Sequence, residues 1–399
     1  MSVEWSNARM TGWRTATRCR AGVLALLLIA LPGCSETTAP ITRPPGLEVF
    51  DSLIVNFMEA TGIEAAALGI MRDGEVVYQK GFGWQDAAHQ VPLASDAMMR
   101  LASVSKPITA AAVRQLIDDG MFTLSDAVFD VGQPDGGLLG LVPFPVLGDD
   151  RLGDVTVRHL LQHEGGWDRD VAGDLTYREI TIASVMSVSS PPGRLNTLRY
   201  ILGQPLQFTP GTRDEYSNIG YMVLGLIVEE VTGRDYLSYV YETVFEPLGV
   251  PHEDIVQGRT FPADRDPREP WYDDDSMAPN VFDPEGSTVR RPDGGWDHEA
   301  RIAQGGLVAS TRTILEFLEV FQVAGDAIGT RRTGSESSGW RWNHTGSLPG
   351  TNTLARQRGD GINYVVLFNK RATSGDSYST QMRTEMDAIL DAGTVQWPG

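Results

Sequence analysis

Cysteine is almost missing from this chain of 399 residues: Cys19 and Cys34 are its only two. Everything beyond residue 34 is therefore without a disulfide, a thiolate metal site or a cysteine nucleophile. Lysine is nearly as scarce, limited to Lys80, Lys106 and Lys370, so lysine-dependent chemistry has few places to reside. No Gly-x-Ser-x-Gly turn occurs, which removes the α/β-hydrolase architecture. An Asp-x-Asp-x-Asp-Gly calcium loop is absent as well, and no internal repeat is visible. An apolar run does stand at Ala21–Leu31, but at 11 residues it is short for a bilayer span.

That run follows Arg14, Arg18 and Arg20 and is closed by Leu31-Pro32-Gly33-Cys34, the order of a secretory leader. The closing tetrapeptide resembles a bacterial lipoprotein cleavage box, which implies lipidation of Cys34 as the first mature residue. Residues 1–33 are thus expected to be an export signal. Residues 34–46, with Thr37, Thr38, Pro40, Thr42, Pro44 and Pro45, read as an extended tether, and 47–395 as the folded domain. The expected location is the cell envelope, facing the periplasm, with the lipid anchor as the contact to the membrane. The formal net charge is −19, and loss of residues 1–33, with four arginines and one glutamate, would take it to −22. Such a surface argues against nucleic acid as a partner and would repel anionic polymers, unless a local positive patch in the cleft overrides it.

Patterning gives sheet-forming ends around a helical centre. Leu47–Ala60 carries a helical apolar stripe closed by Gly62, and Asp73-Gly74 joins two β-prone runs, Ala66–Met71 and Val76–Gln79. Near the other end Thr353–Gln357 and Ile362–Asn369 flank Gly359-Asp360-Gly361, before a helix over Ser377–Leu390. Between them, helices are expected over Pro107–Asp119, Thr156–His163, Tyr221–Val231 and Tyr236–Phe245. The arrangement implies an α+β body made from both termini, with a helical lobe inserted. Two stretches look like insertions: 131–153, rich in Gly, Pro and Asp, and 251–300, with 13 acidic residues including Asp273-Asp274-Asp275. The triplet reads as a solvated loop.

The chemistry-bearing residues form three motifs. Ser103-Val104-Ser105-Lys106 holds the only lysine with a serine three residues before it. At helical spacing the two share a face, so Lys106 can reach the Ser103 hydroxyl while Ser105 points elsewhere. A serine hydroxyl needs such a base within hydrogen-bond reach, and lysine serves when burial or nearby positive charge lowers its pKa. Tyr216-Ser217-Asn218 is the only Tyr-x-Asn, and His344-Thr345-Gly346 puts a basic residue before Thr-Gly. Together, and in this order, the motifs carry far more than any one alone.

The set resembles the serine β-lactamase and penicillin-binding protein superfamily, in particular the class C β-lactamase-like branch that also holds D-alanyl-D-alanine carboxypeptidases and carboxylesterases. Leu160-Leu161-Gln162-His163-Glu164-Gly165-Gly166, Phe208-Thr209-Pro210-Gly211 and Gly305-Gly306-Leu307-Val308-Ala309-Ser310-Thr311 look like the same branch. The likeness runs from about Leu47 to about Leu390. It implies a β-lactamase/transpeptidase-like fold: an antiparallel sheet flanked by helices, an all-helical lobe, and the active site at their junction.

For the site, the resemblance implies Ser103 as the nucleophile of an acyl-enzyme, with Lys106 and Tyr216 jointly as acid and base and the order of their proton transfers open. Asn218 would donate a hydrogen bond to the substrate or to Lys106. His344, Thr345 and Gly346 would line the opposite wall from a sheet strand, and the N–H groups of Ser347 and Ser103 would form an oxyanion hole. Many β-lactamases carry lysine where His344 stands. Histidine is mostly neutral at pH 7, which favours the esterases and peptidases of the group. The expected substrate is a small ester, amide, D-aminoacyl peptide or β-lactam, with water as acceptor and no cofactor or metal. His159 and His163, followed by Glu164, have zinc-like spacing, but the order differs from His-Glu-x-x-His and no third ligand is evident. A different class remains open, a binding module that captures cell-wall peptide or β-lactam without turnover.

Overall fold

The computed structural model describes residues 46–332 and 340–398. The expected leader, Cys34 and the tether up to residue 45 lie outside the described residues.

Phe50, Ile54 and Phe57 recur at helical spacing and are buried along α1, Glu48–Thr61, which stops at Gly62 in the left-handed region. Asp73 and Gly74 then both take positive φ, 51° and 83°, the geometry of a tight hairpin turn. They join β1, Ala65–Arg72, to β2, Glu75–Gly83. The far end of the chain supplies β3, Arg341–Leu348, β4, Thr351–Arg358, and β5, Ile362–Phe368. The five strands pair antiparallel in the order β2-β1-β5-β4-β3, with Ala66 opposite Phe368 and Arg72 opposite Ile362. Strands from the first and last parts of the described residues, β1 and β5, thus meet at the centre of one sheet, and β3 is left as an edge.

Side chains alternate across this sheet. Ala65, Ala67 and Met71 of β1 face one core cluster, while Ala66, Leu68 and Ile70 face another containing Phe50, Ile54, Phe57 and residues of the last helix, Tyr378–Asp391. Because both faces are covered, β5 is buried at every position and is apolar apart from Asn363, whose amide donates to Glu319 at 3.0 Å. Phe57 stacks on Phe368 with ring centroids 5.5 Å apart. Each such buried aromatic contributes about 1.5–3 kcal/mol.

The first core cluster joins the sheet to the helical lobe. The lobe includes α2, Ser105–Asp118, and α3, Asn218–Thr232; a further helix, α4, Thr311–Val320, packs on the sheet. Tyr236–Val240 runs on as a π-helical turn over Tyr241–Phe245. One expected helix is shorter than predicted: it spans Val157–Leu161, because His163 takes a left-handed φ of 60°. His159 and His163 therefore do not share a helix face. Of the two insertions, 251–300 folds over the sheet–lobe junction and forms a hairpin of Met277–Pro279 with Thr288–Arg290. Its acidic triplet is engaged by neighbours in the fold: Asp273 accepts from Lys370 Nζ at 2.7 Å, Asp274 accepts from the Ser276 backbone N–H, and Asp275 lies 3.6 Å from Arg290.

Candidate active site

Ser103 sits in a 3-10 turn, Ala102–Val104, that runs directly into α2. Helical spacing is kept across the junction, so Ser103 and Lys106 still face the same side. Pro107 falls in the first turn of α2, where a missing N–H costs nothing. Ala102 has a φ of 48°, a conformation costing on the order of 1 kcal/mol for a residue with a side chain. The turn is held on both sides. Leu101 N–H donates to Leu307 O at 2.9 Å, and the Thr353 hydroxyl donates to Leu101 O at 2.9 Å. On the sheet side Gly346 lies so close that a Cβ there would run into Leu101 O, Thr353 Oγ1 and the Cβ of Ala102. Glycine at 346 lets edge strand β3 close on the serine.

Three groups converge on this point. Tyr216 OH donates to Ser103 Oγ at 2.6 Å, and Lys106 Nζ donates to the same oxygen at 3.1 Å. Lys106 Nζ also donates to Asn218 Oδ1 at 2.7 Å and to the Gln304 carbonyl at 2.6 Å, so all three ammonium hydrogens have acceptors. The Asn218 amide nitrogen is taken by Asp174 Oδ2 at 2.6 Å. Asn218 thus accepts from the lysine, where a donor role toward substrate or Lys106 was expected; the Asp174 carboxylate fixes that orientation. Ser105, the second serine of the motif, is fully buried and accepts from Leu307 N–H at 3.2 Å.

Electrostatics follow from burial. Lys106 is fully buried, and loss of hydration lowers its pKa below the ordinary lysine value, with Tyr216 and Asp174 acting in the opposite direction. Arg169 stacks over the Tyr216 ring at 4.7 Å, and its charge also disfavours the lysine cation. Burial, followed by the charge of Lys106, pushes His344 down to about 4. Its Nδ1 donates to Val323 O at 3.1 Å, leaving Nε2 the unprotonated nitrogen of the neutral ring. His163 is pushed down to about 3 by burial and by Lys106, and its Nδ1 accepts from Ser217 N–H at 3.1 Å. His159 Nδ1 similarly accepts from Thr156 N–H at 3.2 Å.

Ser103, Tyr216, Asn218, His344, Thr345, Gly346 and Ser347 all line one cavity of about 460 Å³, with Lys106 beneath it. A second chamber of about 510 Å³ continues from it and is bordered by residues 278–296 of the second insertion. Residues 131–153 border neither chamber. Three contributors had no signal in the motifs: Asp174, Arg169 and the Gln304 carbonyl. Only the last has a sequence neighbour that marks it, since it directly precedes the Gly305–Thr311 stretch.

The family model described as Beta-lactamase matches residues 50–385. Protein flp of Staphylococcus aureus (strain COL) is 30% identical over 209 residues, covering 52% of this chain and 38% of that protein. Esterase EstB of Burkholderia gladioli is 34% identical over 184 residues, covering 45% of this chain and 44% of that protein. The chain therefore matches less than half the length of these curated relatives. Among solved structures, the D-amino acid amidase from Ochrobactrum anthropi SV3 complexed with D-phenylalanine superposes with a TM-score of 0.60 at 21% identity, over 86% of this chain and 98% of that one.

Proposed function

Because this chain belongs to the Beta-lactamase family and has its β-lactamase/transpeptidase-like fold, we infer that it is a serine hydrolase working through an acyl-enzyme on Ser103. The observation that carries the reading is the approach of Tyr216 OH and Lys106 Nζ to one hydroxyl oxygen, at 2.6 and 3.1 Å. A buried lysine that loses its proton readily turns from donor to acceptor, and the serine proton then has a short path to it, directly or through the tyrosine oxygen.

In the forward step the Ser103 Oγ attacks the substrate carbonyl while its proton passes to the Lys106–Tyr216 pair. The backbone N–H groups of Ser103 and Ser347 hold the negative oxygen that forms, and the pair returns the proton to the departing alcohol or amine. Water then attacks the acyl-serine ester, again giving up a proton to the pair, and the acid is released. Asn218, held by Asp174, keeps Nζ aimed at the serine.

The substrate proposed is an ester, amide or D-aminoacyl peptide in preference to a β-lactam. Support comes from His344, which is neutral around pH 7 and puts no fixed cation on its wall. The relative named an esterase and the neighbour named a D-amino acid amidase point the same way. The reading includes export, with residues 1–33 as leader and Cys34 lipidated, which mass measurement of the mature amino terminus tests.

The decisive experiment incubates the protein with a fluorescent penicillin, a fluorophosphonate and a panel of short-chain esters, D-amino-acid amides and a cephalosporin. Ester or amide turnover with stable fluorophosphonate labelling is expected. Persistent penicillin labelling without turnover of any substrate would instead identify a binding protein.

A further inference from the structure

The cleft does not end at Ser103. Past Ser347 and Leu348 it opens into the second chamber, which shares Arg169, Tyr177 and Asn218 with the cavity around the serine. Four arginines face this chamber: Arg169, Arg178, Arg291 and Arg371. Two carboxylates line it too, but both are engaged. Asp174 accepts from Asn218 Nδ2 and from the Thr176 hydroxyl, each at 2.6 Å, and Glu179 is paired with buried Arg301 at 2.6 Å.

None of the four arginine side chains forms an ion pair or hydrogen bond with another described residue; Arg169 has only its stacking contact with Tyr216. Arg178 and Arg291 are exposed. Arg371 is half-buried, and burial holds its guanidinium below the ordinary value, with the charge of Arg291 adding to the effect and Asp274 opposing it. In a chain of net charge −19, most other arginines among the described residues are ion-paired, and although Arg259 and Arg331 also lack such a partner, four of the unpaired cationic groups gather in this one chamber beside the serine. Guanidinium groups that lack a carboxylate in the folded protein are poised to accept one from a ligand, through paired N–H donors. The local field also reverses the repulsion that the bulk surface exerts on anions.

We propose that this chamber selects substrates carrying an anionic oxygen group, in the simplest case a carboxylate, on the part of the molecule that extends past Ser347. Arg291 and Arg371 receive the anion, and Arg169 stands where the two chambers join. The reaction rests on the hydrolase reading above, whereas the ligand preference rests on the charge of the chamber itself.

Two measurements separate these. The first compares kcat/KM for mono-p-nitrophenyl adipate and its methyl ester, which differ only in the distal charge. The full chain should prefer the carboxylate by about tenfold or more, as expected for a charge-assisted hydrogen bond. The preference should shrink in 1 M salt, fall about tenfold in Arg291→Gln or Arg371→Gln, and reverse in Arg291→Glu. Arg291 is exposed, so these changes do not depend on refolding a core position. The second measures binding of adipic acid monoanilide and its methyl ester to Ser103→Ala protein by calorimetry, which needs no turnover. Tighter binding of the acid, weakened by Arg291→Gln, supports the chamber assignment even if neither ester is hydrolysed, a result that would count against the hydrolase reading alone. Equal binding of acid and methyl ester, or equal kcat/KM, overturns the chamber assignment.

Discussion

Lys106 and Asn218 meet ammonium to amide oxygen, at 2.7 Å, because the other end of the amide is bound to Asp174. Asn218→Ala removes one of three acceptors from a buried ammonium and frees it to turn away from Ser103. The expected result is a fall in kcat of about 10–100-fold with little change in KM, read from steady-state ester hydrolysis. Asp174→Asn, which lets the amide flip, should give a smaller loss in the same direction.

Lys106 and Tyr216 act on one oxygen, so their effects should not add. Lys106→Met and Tyr216→Phe are each expected to lower kcat by about 10²–10⁴-fold, with the double variant close to the worse single one. A buried ammonium also burdens the fold. Lys106→Met should therefore raise the Tm by a few degrees in calorimetry while activity is lost, the sign expected of a residue kept for chemistry.

Gly346→Ala places a Cβ against Leu101 O and Thr353 Oγ1, pushing β3 away from the serine. Overpacking of this kind costs about 1–3 kcal/mol. The expected signature is a lower Tm together with a drop in kcat, because Ser347 moves with the strand. Thr345→Ala, on the exposed face of β3, should leave the Tm within a degree of the parent.

Burial and the Lys106 charge push His163 from its ordinary 6.5 down to about 3 in the folded chain. Below pH 6.5 the unfolded chain takes up a proton that the folded one refuses, so this contribution is fully present above 6.5 and is lost as pH falls toward 3. Urea melts between pH 7 and pH 4 should show stability falling with acid, by on the order of 1–3 kcal/mol from this residue. His163→Gln, which can still accept from Ser217 N–H, should flatten that slope.

Both hairpins were legible because Asp73-Gly74 and Gly361 mark turns that demand positive φ. The α+β division followed from apolar runs at the two ends. Ser103 and Lys106 were legible because their relation is local, three residues along a helical turn. The triplet at His344 was less specific than it looked, since Arg332 also precedes Thr-Gly; its neighbourhood with Ser103 depends on Gly346 and on sheet pairing far along the chain. Asp174 and the arginine-lined chamber stayed hidden for the same reason. Their residues are scattered from 169 to 371, and only tertiary packing gathers them. The break after Leu161 was missed because a left-handed histidine carries no glycine to announce it.

The account stands or falls on the Ser103 hydroxyl. Hydrolysis of a p-nitrophenyl ester by purified Ser103→Ala protein, set beside the parent chain and a fluorophosphonate peptide map, tests it most directly. The account predicts activity at the background rate, with the parent labelled once, on the peptide containing residue 103. Turnover by the variant at the parent's rate, or labelling at a different serine, would contradict it.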